Sequence, residues 1–319
     1  MSDVLAWLLE RDNPSARYLA LRDLLGRSED DPDVRAARQA IPGWGPARAI
    51  LEAQWPAGYW VAPGVGYSPR YRATVWQVIF LAALGGPCTE AIERACAYVL
   101  DHSRLPDGRF SAHKTAKGAV VCLNGNLLRA LLQLGCTDPR LEQVATALAR
   151  TVVREGFRCP LDASDVAQGC PAGRISDGLS CGWATVKVLG AFAELPEEQR
   201  SPLVGTAIEA GVALLLAGDL ASGGFATSGI TDPLWKPLGF PLGESADLLE
   251  ALEVLARHGV TRTPALDRAL AVVRRKQDRQ GRWALEYTPQ PAWASFGEVG
   301  RPNKWVTLRA LRVLRLWEG

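Results

Sequence analysis

The sequence predicts an all-α fold, an (α/α)6 toroid in which six inner and about six outer helices close into a barrel. Three observations predict it: an apolar helix pattern that recurs six times, an amphipathic pattern between its copies, and a glycine-aromatic turn after each full outer helix. A repeat of fixed period marks one supersecondary unit that buries its apolar face against the next unit. We expect residues 1–319 to form one domain, because no linker-like tract divides them.

The inner helices are predicted from segments that are apolar almost all round, as in a helix buried on several sides. The last residues of successive segments lie 50 to 63 positions apart. The segments are Leu19–Leu25, Val78–Leu84, Leu128–Leu134, Val186–Phe192, Leu249–Leu255 and Leu308–Leu314. Several of them stop at a glycine suited to a left-handed helix cap, such as Gly85 and Gly135.

The outer helices are predicted from amphipathic stretches, many of which begin with a capping residue or an early proline. They are Asp33–Ile41, Thr89–Leu100, Pro139–Val153, Leu203–Leu216 and Pro264–Gln277. An open stack of such helix pairs would need polar capping repeats at its ends, and none is visible. We therefore favour a closed toroid over an open solenoid.

Composition excludes several classes of protein. The chain is 48% hydrophobic with a net charge of +2 and interspersed charges, which argues for a large core and against nucleic-acid binding. The start of the sequence does not resemble a signal peptide, and the apolar stretches are too short for a transmembrane segment. Seven cysteines, an odd and sparse number, suit reduced thiols in a cytoplasmic protein. Peripheral contact with a membrane and the oligomeric state stay open.

The turns that follow the outer helices carry a Gln-x3-Gly-x-Trp motif in its sharpest copies, Gln54–Trp60 and Gln277–Trp283. Three shorter copies are Asp107–Phe110, Glu155–Phe157 and Gly223–Phe225. Glycine permits the tight turn, the glutamine amide can bond nearby backbone, and the aromatic ring packs between outer helices. This motif resembles the QW repeat of squalene and hopene cyclases and of protein prenyltransferase β subunits, over nearly the whole chain.

The resemblance implies a central, mostly apolar cavity that opens where loops enter the inner helices and that holds an isoprenoid or another hydrophobic small molecule. Aromatic side chains at these places can line an apolar pocket or stabilise a cation, or they can be core packing. They are Tyr71, Trp76, Trp183 and Trp305 at the helix entries and Trp235 and Trp293 on nearby loops.

The chemistry of the family is only partly matched. The Asp-x-Asp-Asp acid of the cyclases is absent, and Asp162 and Asp165 have the wrong spacing for it. Cys181 matches the place of the zinc-binding cysteine of the prenyltransferases. Leu179 stands where their aspartate would be, with Asp177 four residues before the cysteine, and His258 lies at the far end of its helix. The zinc triad is therefore not present in family form.

Four cysteines that could lie at one rim of the cavity suggest a metal site. Four thiolates at one rim of the cavity would suit tetrahedral zinc, whereas buried or redox-active thiols are the alternative. The four are Cys122, Cys159, Cys170 and Cys181. The remaining three, Cys88, Cys96 and Cys136, are expected to be structural. Zinc is the one cofactor that the residues suggest.

Polar groups at the inner-helix entries are the other candidates for a site. The candidate catalytic residues are Asp177, Glu244, Asp247 and Lys304, and the candidate ligand-binding residues are Arg72, Trp76, Asn124, Asn126, Trp183, Lys187, Trp235 and Trp305. Arg72, Lys187 and Lys304 could together hold a diphosphate. Alternatively, Lys187 pairs with Glu244 and Arg72 pairs with Asp247 in ion pairs at the rim.

Two functional hypotheses remain. One is an enzyme that acts on an isoprenoid or another hydrophobic small molecule, and the other is a non-catalytic toroid that carries an apolar ligand or serves as an interaction scaffold. A nucleotide-binding enzyme is disfavoured because no glycine-rich phosphate loop follows a strand. A Ser-His-Asp hydrolase is disfavoured because none of the three histidines neighbours a nucleophile-elbow sequence.

Overall fold

A computed structural model describes residues 3–158, 180–224 and 235–318, and these ranges contain thirteen α-helices and only isolated β-bridges. The helices are α1 (Asp3–Leu8), α2 (Pro14–Leu19), α3 (Pro32–Ala40), α4 (Gly45–Glu52), α5 (Thr74–Leu84), α6 (Glu90–His102), α7 (Val121–Gln133), α8 (Arg140–Glu155), α9 (Gly182–Glu194), α10 (Pro202–Leu216), α11 (Leu248–Arg257), α12 (Pro264–Arg275) and α13 (Lys304–Glu318). A π-helical turn, Ala20–Leu24, continues α2. The all-α prediction is confirmed.

Six inner helices form a closed ring. Helices α5, α7, α9, α11 and α13 pack against one another in chain order, and α13 packs against α2 and its π-helical turn. Ser15 closes the ring, because its Oγ donates to the carbonyl oxygen of Leu84 at 2.7 Å and accepts from Trp305 Nε1 at 2.9 Å. The six apolar segments of the sequence lie on these six inner helices, as predicted.

The outer helices lie against the ring. Helices α3, α6, α8, α10 and α12 each pack on the inner helix that precedes them, α4 packs on α5, and α1 packs on α13. Their buried residues lie on one stripe. In α8, for instance, they include Leu141, Val144, Leu148 and Val152. The five amphipathic stretches of the sequence lie on α3, α6, α8, α10 and α12, so that prediction is confirmed.

The Gln-x3-Gly-x-Trp turn ties two outer helices to one inner helix. Gln54 Nε2 donates to the carbonyl oxygen of Ala91 in α6 at 2.9 Å. Gly58 has φ +93°, and a Cβ there would lie 2.5 Å from the carbonyl oxygen of Arg94. Trp60 is fully buried, and its Nε1 donates to the carbonyl oxygen of Ile50 in α4 at 2.7 Å. Glycine is therefore required both by the backbone angle and by the close approach of α6.

Both copies of this turn bond to a threonine of the inner helix that follows them in the chain. The backbone N–H of Trp60 donates to Thr74 Oγ1 at 3.1 Å, and that of Trp283 donates to Thr307 Oγ1 at 2.9 Å. Both threonines lie in the first turns of inner helices and are fully buried. A buried N–H without an acceptor is costly, so each threonine fixes the turn on its helix.

The side of the ring where loops enter the inner helices is filled, in its described part, by aromatic side chains. Phe240 stacks on Trp305 with ring centroids 4.7 Å apart, and Phe296 meets Trp305 edge-on at 6.3 Å. Phe80 and Tyr71 extend this cluster. Phe240 belongs to the segment that precedes α11, so the described part of this segment packs into the entry side of the ring.

Candidate functional site: a central cavity with an apolar and a charged wall

A cavity of about 470 Å³ lies inside the ring. Its floor is buried, with Trp305 at 5% exposure and Lys187 at 1%. Its rim is formed by the last turns of inner helices, including Gln133, Arg257 and the 45% exposed Leu316. The cavity therefore opens at the carboxyl ends of the inner helices, on the side opposite the aromatic cluster.

One side of the cavity is apolar. Helices α2 and α5, one residue of α13 and the segment before α11 supply it, and the residues are Leu19, Ile79, Ala82, Ala83, Phe240, Leu242 and Leu308. Five of these side chains, those of Leu19, Ile79, Ala82, Ala83 and Leu308, belong to the apolar segments that the repeat pattern places on the inner helices. Such a surface accepts hydrocarbon without leaving a polar group unpaired.

The opposite side is charged and comes from α7, α9 and α11. Lys187 Nζ contacts both carboxylate oxygens of Glu250, at 2.8 and 3.0 Å. Arg129 reaches three carboxylates, those of Glu250 at 3.0 Å, Glu253 at 3.3 Å and Glu194 at 3.4 Å. Gly125 permits this convergence, because a Cβ there would lie 2.6 Å from the backbone of Lys187.

Helix α13 extends the charged network across the ring. Arg312 joins Glu253 at 2.7 Å to Asp23 of the π-helical turn at 2.9 Å. Arg309 pairs with Asp247 through two bonds of 2.7 and 2.8 Å. Ion pairs thus link five of the six inner helices. Each pair also fixes the register of two helices, since a charge left unpaired inside the ring would be strongly destabilising.

Cationic neighbours lower the pKa of two carboxyl groups of the network, those of Glu253 and Glu194. Burial alone raises the pKa of Glu253, but the guanidinium groups of Arg312 and Arg129 outweigh it and lower this pKa to about 2. Burial likewise raises the pKa of Glu194, and its hydrogen bond from Arg257 reverses the effect and lowers it. Burial lowers the pKa of Lys187, only partly offset by Glu250.

The structure brings three of the predicted ligand-binding residues to the cavity, namely Asn126, Lys187 and Trp305. Asn124 instead serves a glycine-aromatic turn, accepting from the N–H of Phe110 at 2.7 Å and donating to its carbonyl oxygen at 2.8 Å. The other four do not line this cavity either; they are Arg72, whose guanidinium lies 4.0 Å from the ring of Trp293, and the buried Trp76, Trp183 and Trp235.

Three of the four candidate catalytic residues lie outside the lining of this cavity, and Asp177 lies outside the described residues. Glu244 accepts from Arg70 at 2.7 Å and from Tyr71 at 3.1 Å on the entry side. Asp247 is the N-cap of α11 and accepts from the backbone of Glu250 at 2.9 Å. Lys304 pairs with Glu10 at 2.8 Å and with Asp12 on the outside of the ring.

Two expectations need correction. The predicted pairs of Lys187 with Glu244 and of Arg72 with Asp247 are wrong, because Lys187 pairs with Glu250 and Asp247 with Arg309. The expectation of a mostly apolar cavity that opens at the helix entries is also wrong for the cavity that the described residues form. Among the described residues, Phe240 of the segment before α11 stacks on Trp305 at the entry side, and charged side chains of the inner helices line the cavity.

The predicted cysteine site is only partly within the described residues. Cys122 lies in the first turn of α7 and Cys181 is the N-cap residue of α9, both buried, while Cys159 and Cys170 lie outside the described ranges. Within the described ranges, no group of three His, Cys, Asp or Glu side chains is arranged to hold a metal ion. The four-cysteine metal site stays a prediction.

The described residues also do not fit the zinc triad of the prenyltransferases. Cys181 begins α9 at the entry side, whereas His258 follows the end of α11 and its Nε2 lies 2.9 Å from the carbonyl oxygen of Leu189. The two side chains therefore belong to opposite ends of the ring.

Apart from Lys187, the residues of the charged wall were not among the candidates that the sequence suggested. Its members do carry a signal, because a charge follows the first leucine in Leu128-Arg129-Ala130-Leu131, Leu249-Glu250-Ala251-Leu252 and Leu308-Arg309-Ala310-Leu311. A charge in a helix that is otherwise apolar all round must find a partner or a cavity. Glu253 and Arg312 follow three residues later, on the same helix faces.

No family model and no curated protein matches the sequence. A similar solved structure is that of a variant of the type II terpene cyclase MstE from Scytonema in complex with geranylgeranyl dihydroxybenzoate. The two chains are 14% identical with a TM-score of 0.45, over 97% of this chain and 79% of the other.

No helix within the described ranges has both the length and the apolar composition that are needed to cross a bilayer.

Proposed function

We propose that the central cavity binds an amphipathic small molecule whose hydrocarbon part lies on the apolar wall and whose anionic group lies on the charged wall. The observation that carries this proposal is that one cavity combines an apolar surface, mainly from α2, α5 and the segment before α11, with a charged surface, mainly from α7, α9, α11 and α13. Its volume of about 470 Å³ falls within the range of small-molecule sites.

Cationic groups face the cavity and could meet an anion. Six cationic and four acidic side chains line it, and behind the lining Asp247 pairs with Arg309 and Glu29 lies 3.9 Å from Arg22. Guanidinium groups bind carboxylates and phosphates through paired hydrogen bonds. The resemblance of the Gln-x3-Gly-x-Trp turns to the QW repeat adds isoprenoids as the class for the hydrocarbon part.

The wall supports binding more directly than proton-initiated chemistry. A carboxylic acid that protonates an alkene must hold its proton at neutral pH. The cationic neighbours of Glu253 lower its pKa to about 2, and the pKa of Glu194 is also lowered, so both remain carboxylates. A carrier of an amphipathic anion, or an enzyme that starts by cleaving a leaving group, is compatible with such a wall.

Isothermal titration calorimetry tests the proposal with three probes: farnesyl diphosphate, farnesol and inorganic pyrophosphate. We expect farnesyl diphosphate to bind at least about ten-fold more tightly than either fragment, since it alone engages both walls; ten-fold corresponds to about 1.4 kcal/mol. Analysis of the same samples for released pyrophosphate separates an enzyme from a carrier.

A cavity-filling variant gives the control. Ala83 lies in the lining and Ala97 is exposed on α6, so Ala83→Trp and Ala97→Trp make the same change inside and outside the cavity. We expect the first to weaken binding of farnesyl diphosphate at least ten-fold and the second to leave it unchanged. Equal affinity in the two variants, or binding no tighter than that of pyrophosphate, would contradict the proposal.

A further inference from the structure

Among the described residues that line the central cavity, Lys187 is the only lysine. It lies in the middle of α9, is 1% exposed, and belongs to the buried floor of the cavity together with Trp305. The lysines that do not line the cavity are Lys114, Lys117, Lys236, Lys276 and Lys304. A small molecule that enters the cavity therefore meets one primary amine, which the ring otherwise shields from solvent.

The amine of Lys187 is held by one carboxylate. Its Nζ donates to both carboxylate oxygens of Glu250 in α11, at 2.8 and 3.0 Å, and to no other group of the described residues. An ammonium has three N–H donors, so these two contacts leave at least one of them without a protein acceptor. Arg129 shares the same carboxylate at 3.0 Å, which reduces the negative charge that stabilises the ammonium.

Burial acts in the same direction as this sharing. It lowers the pKa of Lys187, Arg129 also lowers it, and Glu250 and Asp247 offset these effects only in part. A lysine that is desolvated in an apolar site gives up its proton more readily than one in water, and the neutral amine is a nucleophile. Glu250 is placed to take this proton, because its carboxylate already accepts it in a hydrogen bond.

We propose that Lys187 is a nucleophile that forms an imine with an aldehyde whose hydrocarbon chain lies on the apolar wall of the cavity. The chain contacts apolar lining residues such as Ile79 and Leu308, and the carbonyl carbon meets the amine at the charged wall. Glu250 is then the counter-ion of the protonated imine. The inference goes beyond the binding of an amphipathic anion, since it requires the cavity to admit a hydrocarbon chain but not to bind an anion.

The reaction balances without an oxidant or a reductant. The Lys187 ammonium gives one proton to the Glu250 carboxylate, and the nitrogen lone pair then attacks the carbonyl carbon. An N–C bond forms, the π electrons of the carbonyl move to its oxygen, and a proton passes from nitrogen to oxygen to give a carbinolamine. The proton held by Glu250 joins the hydroxyl group, which leaves as water while the C=N bond forms. The products are a protonated imine, one water molecule and the Glu250 carboxylate.

Reductive trapping on the wild-type protein tests the assignment. The native protein is incubated with decanal and sodium cyanoborohydride, which reduces an imine to a stable decylamine, and is then digested with a protease that cleaves after glutamate. This digestion places Lys187 in peptide 156–194 and Lys276 in peptide 254–286, each with no second lysine. Mass spectrometry of the two peptides over time gives the rate at which each lysine gains a decyl group.

Lys276 is the matched internal control. Its Nζ also donates to both oxygens of one glutamate, Glu286, at 2.6 Å, but its side chain lies outside the cavity and is 25% exposed, against 1% for Lys187. Accessibility alone therefore predicts faster labelling of Lys276. We expect the reverse, with Lys187 labelled at least about ten-fold faster, because the apolar wall holds the decyl chain beside the amine.

A shorter aldehyde and two variants test the part played by the cavity. Propanal has the same reactive group without the long chain, so we expect it to show no preference for Lys187. Ala83→Trp fills the cavity and should slow the labelling of Lys187 by decanal at least about ten-fold, whereas Ala97→Trp on the outside of α6 should not. The proposal is overturned if decanal labels Lys187 no faster than Lys276, if propanal shows the same preference, or if the two variants label alike.

The outcome is separate from that of the proposed function. Labelling of Lys187 in a protein that does not bind farnesyl diphosphate would contradict the anion site and leave the imine supported. Binding of farnesyl diphosphate without labelling of Lys187 would contradict the imine and leave the anion site supported.

Discussion

Glu253 is the carboxylate on which two inner helices converge, so its neutralisation tests the charged network. Its carboxylate accepts from Arg312 at 2.7 Å and from Arg129 at 3.3 Å, and its side chain is only 6% exposed. Its pKa is lowered from 4.5 to about 2 because these guanidinium groups outweigh burial. That shift corresponds to about 3 kcal/mol in favour of the ionised form in the folded protein.

We therefore expect Glu253→Gln to reduce the free energy of unfolding by about 3 kcal/mol at pH 7, since glutamine has the shape of the carboxyl group without its charge. Because the pKa of Glu253 is lowered, its contribution to the free energy of unfolding also depends on pH. A carboxyl with a lowered pKa contributes stability above its ordinary value of 4.5, and this stability is lost as the pH falls toward about 2. The difference between wild type and variant should shrink over that range.

Urea unfolding monitored by circular dichroism at pH 7 and at about pH 3 measures both effects. Glu52→Gln is the matched control, because Glu52 pairs with Arg48 at 2.7 Å but is 62% exposed. Loss of this exposed ion pair should lower the free energy of unfolding by less than about 1 kcal/mol. The reasoning fails if Glu253→Gln costs no more than Glu52→Gln at pH 7, or if its cost is the same at both pH values.

Three further outcomes are expected. Thr74→Val and Thr307→Val should each lower the free energy of unfolding in urea by about 1–3 kcal/mol, because each leaves the backbone N–H of a buried turn tryptophan without an acceptor. A change near zero in both variants would contradict this role of the threonines. Alkylation of Cys136 by iodoacetamide should rise with pH and level off above about 7, whereas that of Cys88 should keep rising into the alkaline range, as peptide-resolved mass spectrometry would show. Burial lowers the pKa of Lys187, so between that pKa and 10.5 the unfolded chain binds more protons than the folded protein. In this pH range the free energy of unfolding should therefore rise with pH more steeply in wild type than in Lys187→Met. Parallel pH profiles of the two proteins would contradict this prediction.

The ring was predictable because its signals are local in the sequence. A helix that is buried on several sides has few polar residues, so Val78–Leu84 and the five similar segments identify the inner layer by composition alone. The turn around Gly58 and Trp60 was equally predictable from the sequence. Its backbone angle requires glycine at position 58, and the hydrogen bonds of Trp60 to α4 and α5 require the tryptophan.

The candidate site was only partly predictable. Asn126, Lys187 and Trp305 were identified as polar or aromatic interruptions near helix entries, and they do line the cavity. Asn124 also lies near a helix entry, yet its side chain bonds to a turn outside the cavity. It is two residues before Asn126, and two residues along a helix change the direction of a side chain by about 200°. Arg129 was absent from the candidates because it lies in the second half of α7, away from the helix entries where polar residues suggested a site.

By itself, the sequence determined the all-α class, the six-fold repeat and the two Gln-x3-Gly-x-Trp turns that join outer helices to α5 and α13. Only the tertiary structure decided which end of the ring the cavity opens to and which charges meet inside it. Glu250 could pair with any cation that the ring brings near, and the close approach of α9 at Gly125 brings Lys187 to it. Among the described residues, Phe240 from the segment before α11 packs on Trp305 at the opposite end of the ring. Periodicity is a property of neighbouring residues, whereas these pairings depend on side chains more than 60 positions apart in the chain, such as Lys187 and Glu250, separated by 63.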